Sequence, residues 1–249
     1  MAGHSKWAQI KRAKGATDAK RGALFTKLAR AIQVAARDGG GDPAGNATLA
    51  NAIQKAKDAA MPKANIERAI AKGTGAESGG AEIEAILYEG YGPGGVAVLV
   101  EALTDNRNRT GSEVRNAFSS RGGSLGEPGS VAWVFEKKGE LVVDGSRYSE
   151  DDLMAAIDAG AEDVSLDGDV YEVVSEAADL TAVREALEAA GVEIGSAELT
   201  MRPKSRVEVE EGQVGTLVRL IEELEDSDDV NAVHANFDVD AAALERAAG

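Results

Sequence analysis

The chain has 249 residues, 43% of them apolar and 4% aromatic, with no cysteine and a formal net charge of −16. This allows two or three cores built from aliphatic side chains and excludes disulfides, zinc–thiolate sites and thiol catalysis. No apolar run approaches the roughly 18–20 residues of a membrane span, and the N-terminus shows neither a signal-peptide core nor an Arg/Ser-rich leader, so a cytoplasmic protein without membrane contacts is expected.

The charge is unevenly placed. Residues 1–72 hold fourteen Lys/Arg against five Asp/Glu, a net of +9, and the remainder holds thirteen against thirty-eight, a net of −25. Between His4 and Arg37 the only acid is Asp18. A basic face attracts phosphates through its local field, whatever the charge of the whole molecule, so the N-terminal part is the expected polyanion contact. The alternative is a solvated basic helix pair.

Leu24, Phe25, Leu28, Ile32 and Ala35 recur at helical spacing and predict a helix over 17–37, with Lys27, Arg30 and Arg37 on its other side. The run Asp38–Pro43 stops it. A second helix carries the stripe Leu49, Ile53, Ala56 and Ala60 and ends at Pro62; a third, capped by Asn65, is closed by Gly73. A small bundle and a linker over 74–80 follow from this spacing.

Strands are expected at Ile83–Glu89 and Val96–Leu103, then a helix over about 109–121 and a strand at Val131–Phe135. The next run reads as strand Glu140–Val143, helix Glu150–Ala159, strand Asp163–Leu166, strand Val170–Val174, helix Leu180–Ala190 and strand Ile194–Met201, with Ser149 and Asp152 as a capping pair. That βαββαβ order is the ferredoxin-like plait. Strand Arg206–Glu210, a helix with Val214, Leu217, Ile221 and Leu224 on one stripe, and strand Val230–Phe237 complete the chain. Two βαβ pieces, 96–135 and 206–237, then form an outer plait. The expected fold is α+β with three domains: a three-helix bundle (1–76), a discontinuous plait (81–136 and 204–240) and an inserted acidic plait (137–203).

Gly90–Gly95 matches the spacing G-x-G-x-x-G, but a strand follows it and Pro93 removes a donor, so a hairpin turn is expected rather than a dinucleotide site. Thr104–Thr110 joins a strand to a helix. Its arginines and amides suit an anion, or Asn108 or Asp105 caps the helix while the arginines pair with nearby acids. His4 and His234 have no second metal ligand at useful spacing, and His234 reads as structural. The inserted plait carries seventeen acids against five bases, a solvated surface rather than a catalytic carboxylate pair. Its central strands offer only Tyr171 for base stacking, so nucleic acid belongs on the helical domain. No cofactor, metal or small-molecule substrate is implied.

Several runs resemble the YebC family, usually described as probable transcriptional regulators. They are Met1–Trp7, Lys20–Lys27, Met61–Ile70, Tyr88–Gly95, Thr104–Thr110 and Gly122–Trp133. The resemblance implies a helical domain followed by two related α/β domains, no catalytic residues, and DNA binding in transcription. Other members, the mitochondrial relatives among them, look like translation factors that meet ribosomal RNA on the ribosome, in bacteria at stalled proline-rich peptides. The expected nucleic-acid contacts are Lys6, Trp7, Lys11, Arg12, Lys14, Lys20, Arg21, Lys27 and Arg30, with Arg107 and Arg109 as a second set. The non-enzymatic alternatives are the ribosome-associated factor and a protein-interaction scaffold built on the acidic plaits.

Overall fold

The computed structural model describes residues 18–77 and 82–248. The first helix among the described residues, α1 (Asp18–Gly39), stops at Gly40, whose φ of +87° only glycine adopts without strain. α2 (Ala47–Asp58) is capped by the buried Asn46: its Oδ1 accepts from Leu49 N at 3.1 Å, and its Nδ2 donates to Ala35 O and Gly40 O, both at 2.8 Å. One amide thus ties the end of α1 to the start of α2. α3 (Lys63–Gly73) begins directly after Pro62, so Asn65 lies inside the helix and does not cap it. Leu28, Ile32, Ala35, Leu49, Ala56, Met61, Ile66 and Ala69 form the core of the three. Two stripe residues fall outside it. Leu24 is 41% exposed, one turn before the packing begins, and Ala60 has left the helix with φ of +56°. Gly73 serves packing rather than a left-handed turn: a Cβ there would lie 2.3 Å from Gln33 O on α1.

The α/β part runs β1 (Glu84–Tyr91), β2 (Ala97–Thr104), α4 (Arg107–Ser120), β3 (Ser124–Leu125), β4 (Phe135–Asp144), α5 (Met154–Asp158), β5 (Ala161–Asp167), β6 (Val170–Glu176), α6 (Leu180–Ala189), β7 (Ile194–Pro203), β8 (Val207–Glu208), α7 (Glu211–Asp226), β9 (Val230–Ala235), β10 (Phe237–Asp238) and α8 (Ala241–Ala248). The glycine-rich run is a hairpin turn in which Gly92 N donates to Val96 O at 2.8 Å. No helix among the described residues is long and apolar enough to cross a membrane.

The chain forms two compact units. One comprises residues 18–132 and 216–235. Its sheet has the order β3-β1-β2-β9, antiparallel throughout, with Glu84 opposite Thr104 and Tyr91 opposite Ala97. This is a ferredoxin-like order with the connectivity permuted: β1, first in the chain, occupies the central place of a plait's third strand. The expected composition is corrected at two points. Val131–Phe135 is not an edge strand of this sheet. The Glu89 carboxylate accepts from the N–H groups of Gly129, Val131 and Ala132 at 2.6–2.7 Å, so amides that a ladder would need are already taken. The two-residue β3 forms the edge instead. Arg206–Glu210 is not in this sheet either, since Val207–Glu208 pairs in parallel with Phe237–Asp238.

The other unit comprises residues 133–215 and 236–248. Its sheet order, β5-β6-β4-β7, is the plait expected from βαββαβ, with Leu141, Val143 and Val173 packed against Leu153, Val183 and Leu187. The Asp152 carboxylate accepts from Ser149 N at 2.8 Å and Oγ at 2.7 Å, as the capping pair required. It starts a 3₁₀ turn, Glu150–Leu153, before the five-residue α5, so the expected single helix is broken in two. α8 was not expected from the spacing.

Candidate nucleic-acid interface

Five of the expected contacts, Lys6, Trp7, Lys11, Arg12 and Lys14, lie outside the described residues, as does His4. Lys20 falls in the first turn of α1. Arg21 is exposed, its guanidinium 5.5 Å from the centre of the Phe25 ring, a cation–π distance. The next basic residues of α1 are engaged within the unit. Lys27 Nζ donates to Glu225 O. The Arg30 Nη1 atom donates to Asp229 Oδ1 at 2.7 Å, Asp228 O at 2.8 Å and Leu103 O at 3.3 Å. Arg37 bonds Asp38 Oδ1 at 2.8 Å and the Ile83 carbonyl. Three cations one or two turns apart therefore hold α1 on the sheet and on the α7–β9 corner.

Arg109 meets Arg30 at the same carboxylate. Its Nη2 lies 2.7 Å from Asp229 Oδ2 and 2.9 Å from Asp105 Oδ1, and Asp229 Oδ2 also accepts from Thr104 Oγ1 at 2.9 Å and Thr110 Oγ1 at 2.6 Å. The Asp229 side chain is 4% exposed. Burial works against its charge, but the bonds from Thr110, Arg109, Thr104 and Arg30 outweigh it and hold the carboxyl at about 2. Asn106, rather than Asn108 or Asp105, caps α4 through Arg109 N at 3.1 Å. Of the two readings of this loop, the cap with an acid-paired arginine describes Arg109. Arg107 is exposed and forms no ion pair among the described residues.

A groove of about 420 Å³ lies between α1 and α3. Phe25, Arg30 and Gln33 line it from α1, Asn65, Arg68 and Lys72 from α3, and among the described residues no acid lines it. Arg68 and Lys72 are exposed, stand one turn apart and form no ion pair among the described residues, whereas Lys63 on the same helix faces Glu67 at 3.6 Å. Neither is among the expected contacts, which follow the dense basic run as far as Arg30 and then pass to Arg107 and Arg109. Their four-residue spacing beside the buried Ala69 was the available signal. His234 sits buried in β9 with Nε2 3.3 Å from Glu101 Oε1, a structural setting, and no group of metal-ligating side chains is present among the described residues.

Two family models account for nearly the whole chain: the TACO1/YebC protein N-terminal domain matches residues 5–76, and the TACO1/YebC second and third domain matches residues 83–237. The chain belongs to the TACO1/YebC family. Its relatives include a probable transcriptional regulatory protein of Rubrobacter xylanophilus, 56% identical over 250 residues and all of both chains, and one of Streptomyces avermitilis, 53% identical over 99% of both. The crystal structure of the conserved hypothetical protein Aq1575 of Aquifex aeolicus is similar at a TM-score of 0.80, with 48% identity over 90% of this chain and 92% of that one. Within the TACO1/YebC layout, the α1–α3 groove belongs to the N-terminal domain.

Proposed function

We propose that this TACO1/YebC member is a non-enzymatic regulator of gene expression that binds nucleic acid through its N-terminal helical domain. The observation that carries the reading is the α1–α3 groove: Arg68 and Lys72, exposed and without an ion pair among the described residues, stand in it beside Arg30, in a chain whose net charge is −16. Arg30 already has carbonyl and carboxylate partners, so Arg68 and Lys72 are the phosphate contacts, and Lys6, Lys11, Arg12 and Lys14 add to the positive charge of the same N-terminal stretch of sequence. The relatives' name, probable transcriptional regulatory protein, favours DNA as the partner.

The test is fluorescence anisotropy of labelled DNA with the full chain across a salt series. Each neutralised phosphate contributes about −0.9 to the slope of log K against log salt on duplex DNA. An Arg68→Glu/Lys72→Glu variant should bind at least tenfold more weakly and lose roughly two phosphates' worth of slope. A flat salt dependence removes the electrostatic reading, and unchanged binding by the folded variant removes the groove from it. Much tighter binding to ribosomal RNA than to DNA would move the same residues into translation.

A further inference from the structure

The groove holds more than cations. Phe25, Ala29 and Gln33 follow one another at four-residue spacing on α1, and Asn65, Arg68, Ala69 and Lys72 form the facing row on α3. The helices close on each other at Gly73, where a Cβ would strike the Gln33 carbonyl. Phe25 and Asn65 each stand eight positions earlier on their helices, at the other end. Phe25, with the Arg21 guanidinium 5.5 Å from its ring centre, and Asn65 thus mark one end of the groove, Gln33 and Lys72 the other, and Arg68 stands between them.

Phosphates alone use only the cations. A duplex keeps its bases stacked and exposes only their edges in the grooves, so it has no base face to place against Phe25. A nucleotide free of its stack does: the base face stacks on an aromatic ring, the base edge exchanges hydrogen bonds with Asn and Gln amides, and the backbone phosphate meets Arg and Lys.

We infer that the α1–α3 groove takes one unpaired nucleotide, so that this protein prefers single-stranded to duplex nucleic acid. Its phosphate lies on Arg68 and Lys72, and its base lies against Phe25 beside Asn65. This rests on the nucleic-acid reading above and narrows it.

The experiment compares the full chain on a short labelled single-stranded oligonucleotide and on its blunt duplex at one salt concentration, with DNA and RNA versions of the single strand as separate arms. Single-strand binding should be about tenfold tighter, the scale of one base stacked on one aromatic ring. Phe25→Leu, which keeps apolar bulk in the helical core, and Asn65→Leu should each abolish most of that preference and leave duplex binding unchanged. Equal affinity for the two forms, or a preference that survives both substitutions, overturns the inference while leaving phosphate binding intact. If Arg68→Ala/Lys72→Ala weakens neither form, the nucleic-acid reading of the groove itself fails. The DNA and RNA arms decide which strand chemistry the site accepts.

Discussion

Replacing Asp229 by asparagine keeps the shape of the side chain and removes the charge that Arg30 and Arg109 share. The loss is bounded by the structure. The carboxyl stands at about 2 against an ordinary 3.8, a difference worth about 2 kcal/mol at neutral pH. Arg30 would keep its two carbonyl partners and Arg109 its Asp105, so the change should cost about 2–3 kcal/mol, below the 3–5 kcal/mol typical of breaking a fully buried pair. The sign of the pH dependence follows from the lowered value. The contribution is complete above about 4 and disappears as the pH falls through about 2, so wild type and Asp229→Asn should converge in acid. Hydrogen exchange followed by mass spectrometry over α1 and β9, at several values from pH 7 downward, reads both the size of the effect and its place. Protection of α1 within about 0.5 kcal/mol of wild type at pH 7, or a gap that does not narrow in acid, would refute the assignment of Asp229 as the anchor of α1.

Glu140 should show the opposite pH dependence. Burial first, and the neighbouring Glu172 second, push it up to about 7 against the pull of Arg202. Its contribution is present below about 4.5 and lost as the pH rises through 7, so Glu140→Gln should melt higher than wild type at pH 8 by roughly 1–3 kcal/mol and match it at pH 4, as thermal denaturation at both values would show. Gly73→Ala should destabilise the helical layer by about 1–3 kcal/mol, because the added methyl meets the Gln33 carbonyl, while Gly22→Ala, with open space around it, should stabilise α1 by about 0.5–1 kcal/mol. Urea unfolding followed by helical circular dichroism separates the two, and a gain at Gly73 would show that the helices part without cost there.

The helices were legible because Leu28, Ile32, Leu49 and Ile66 mark buried faces by spacing alone. The plait over 135–203 was legible because its six elements follow one another in the order of the fold. The other plait was not, for a topological reason: β1 takes its place from the two strands it pairs with, and no local pattern records that permutation. Two-residue strands such as β3 and β8 carry no period to detect. At the site, Asp229 was hidden among Glu225, Asp226, Ser227 and Asp228, where composition reads as a solvated acidic corner. Lys27 and Arg30 were found as cations, but only the tertiary fold shows that they hold the protein together. Arg68 and Lys72 were countable in the sequence and became a site only when α3 settled beside α1.

The Arg30–Asp229 pair spans 199 positions, with the whole plait of residues 135–203 between its partners. During synthesis α1 emerges long before the carboxylate that seats it, and β2 must likewise wait for β9. The intervening plait needs only its own contiguous strands, so it can close while the earlier segment still lacks its edge strand and its anchor. α1, though made early, is thus among the last elements to be fixed. A nascent chain stopped before residue 229 would carry a finished second plait and an unseated α1.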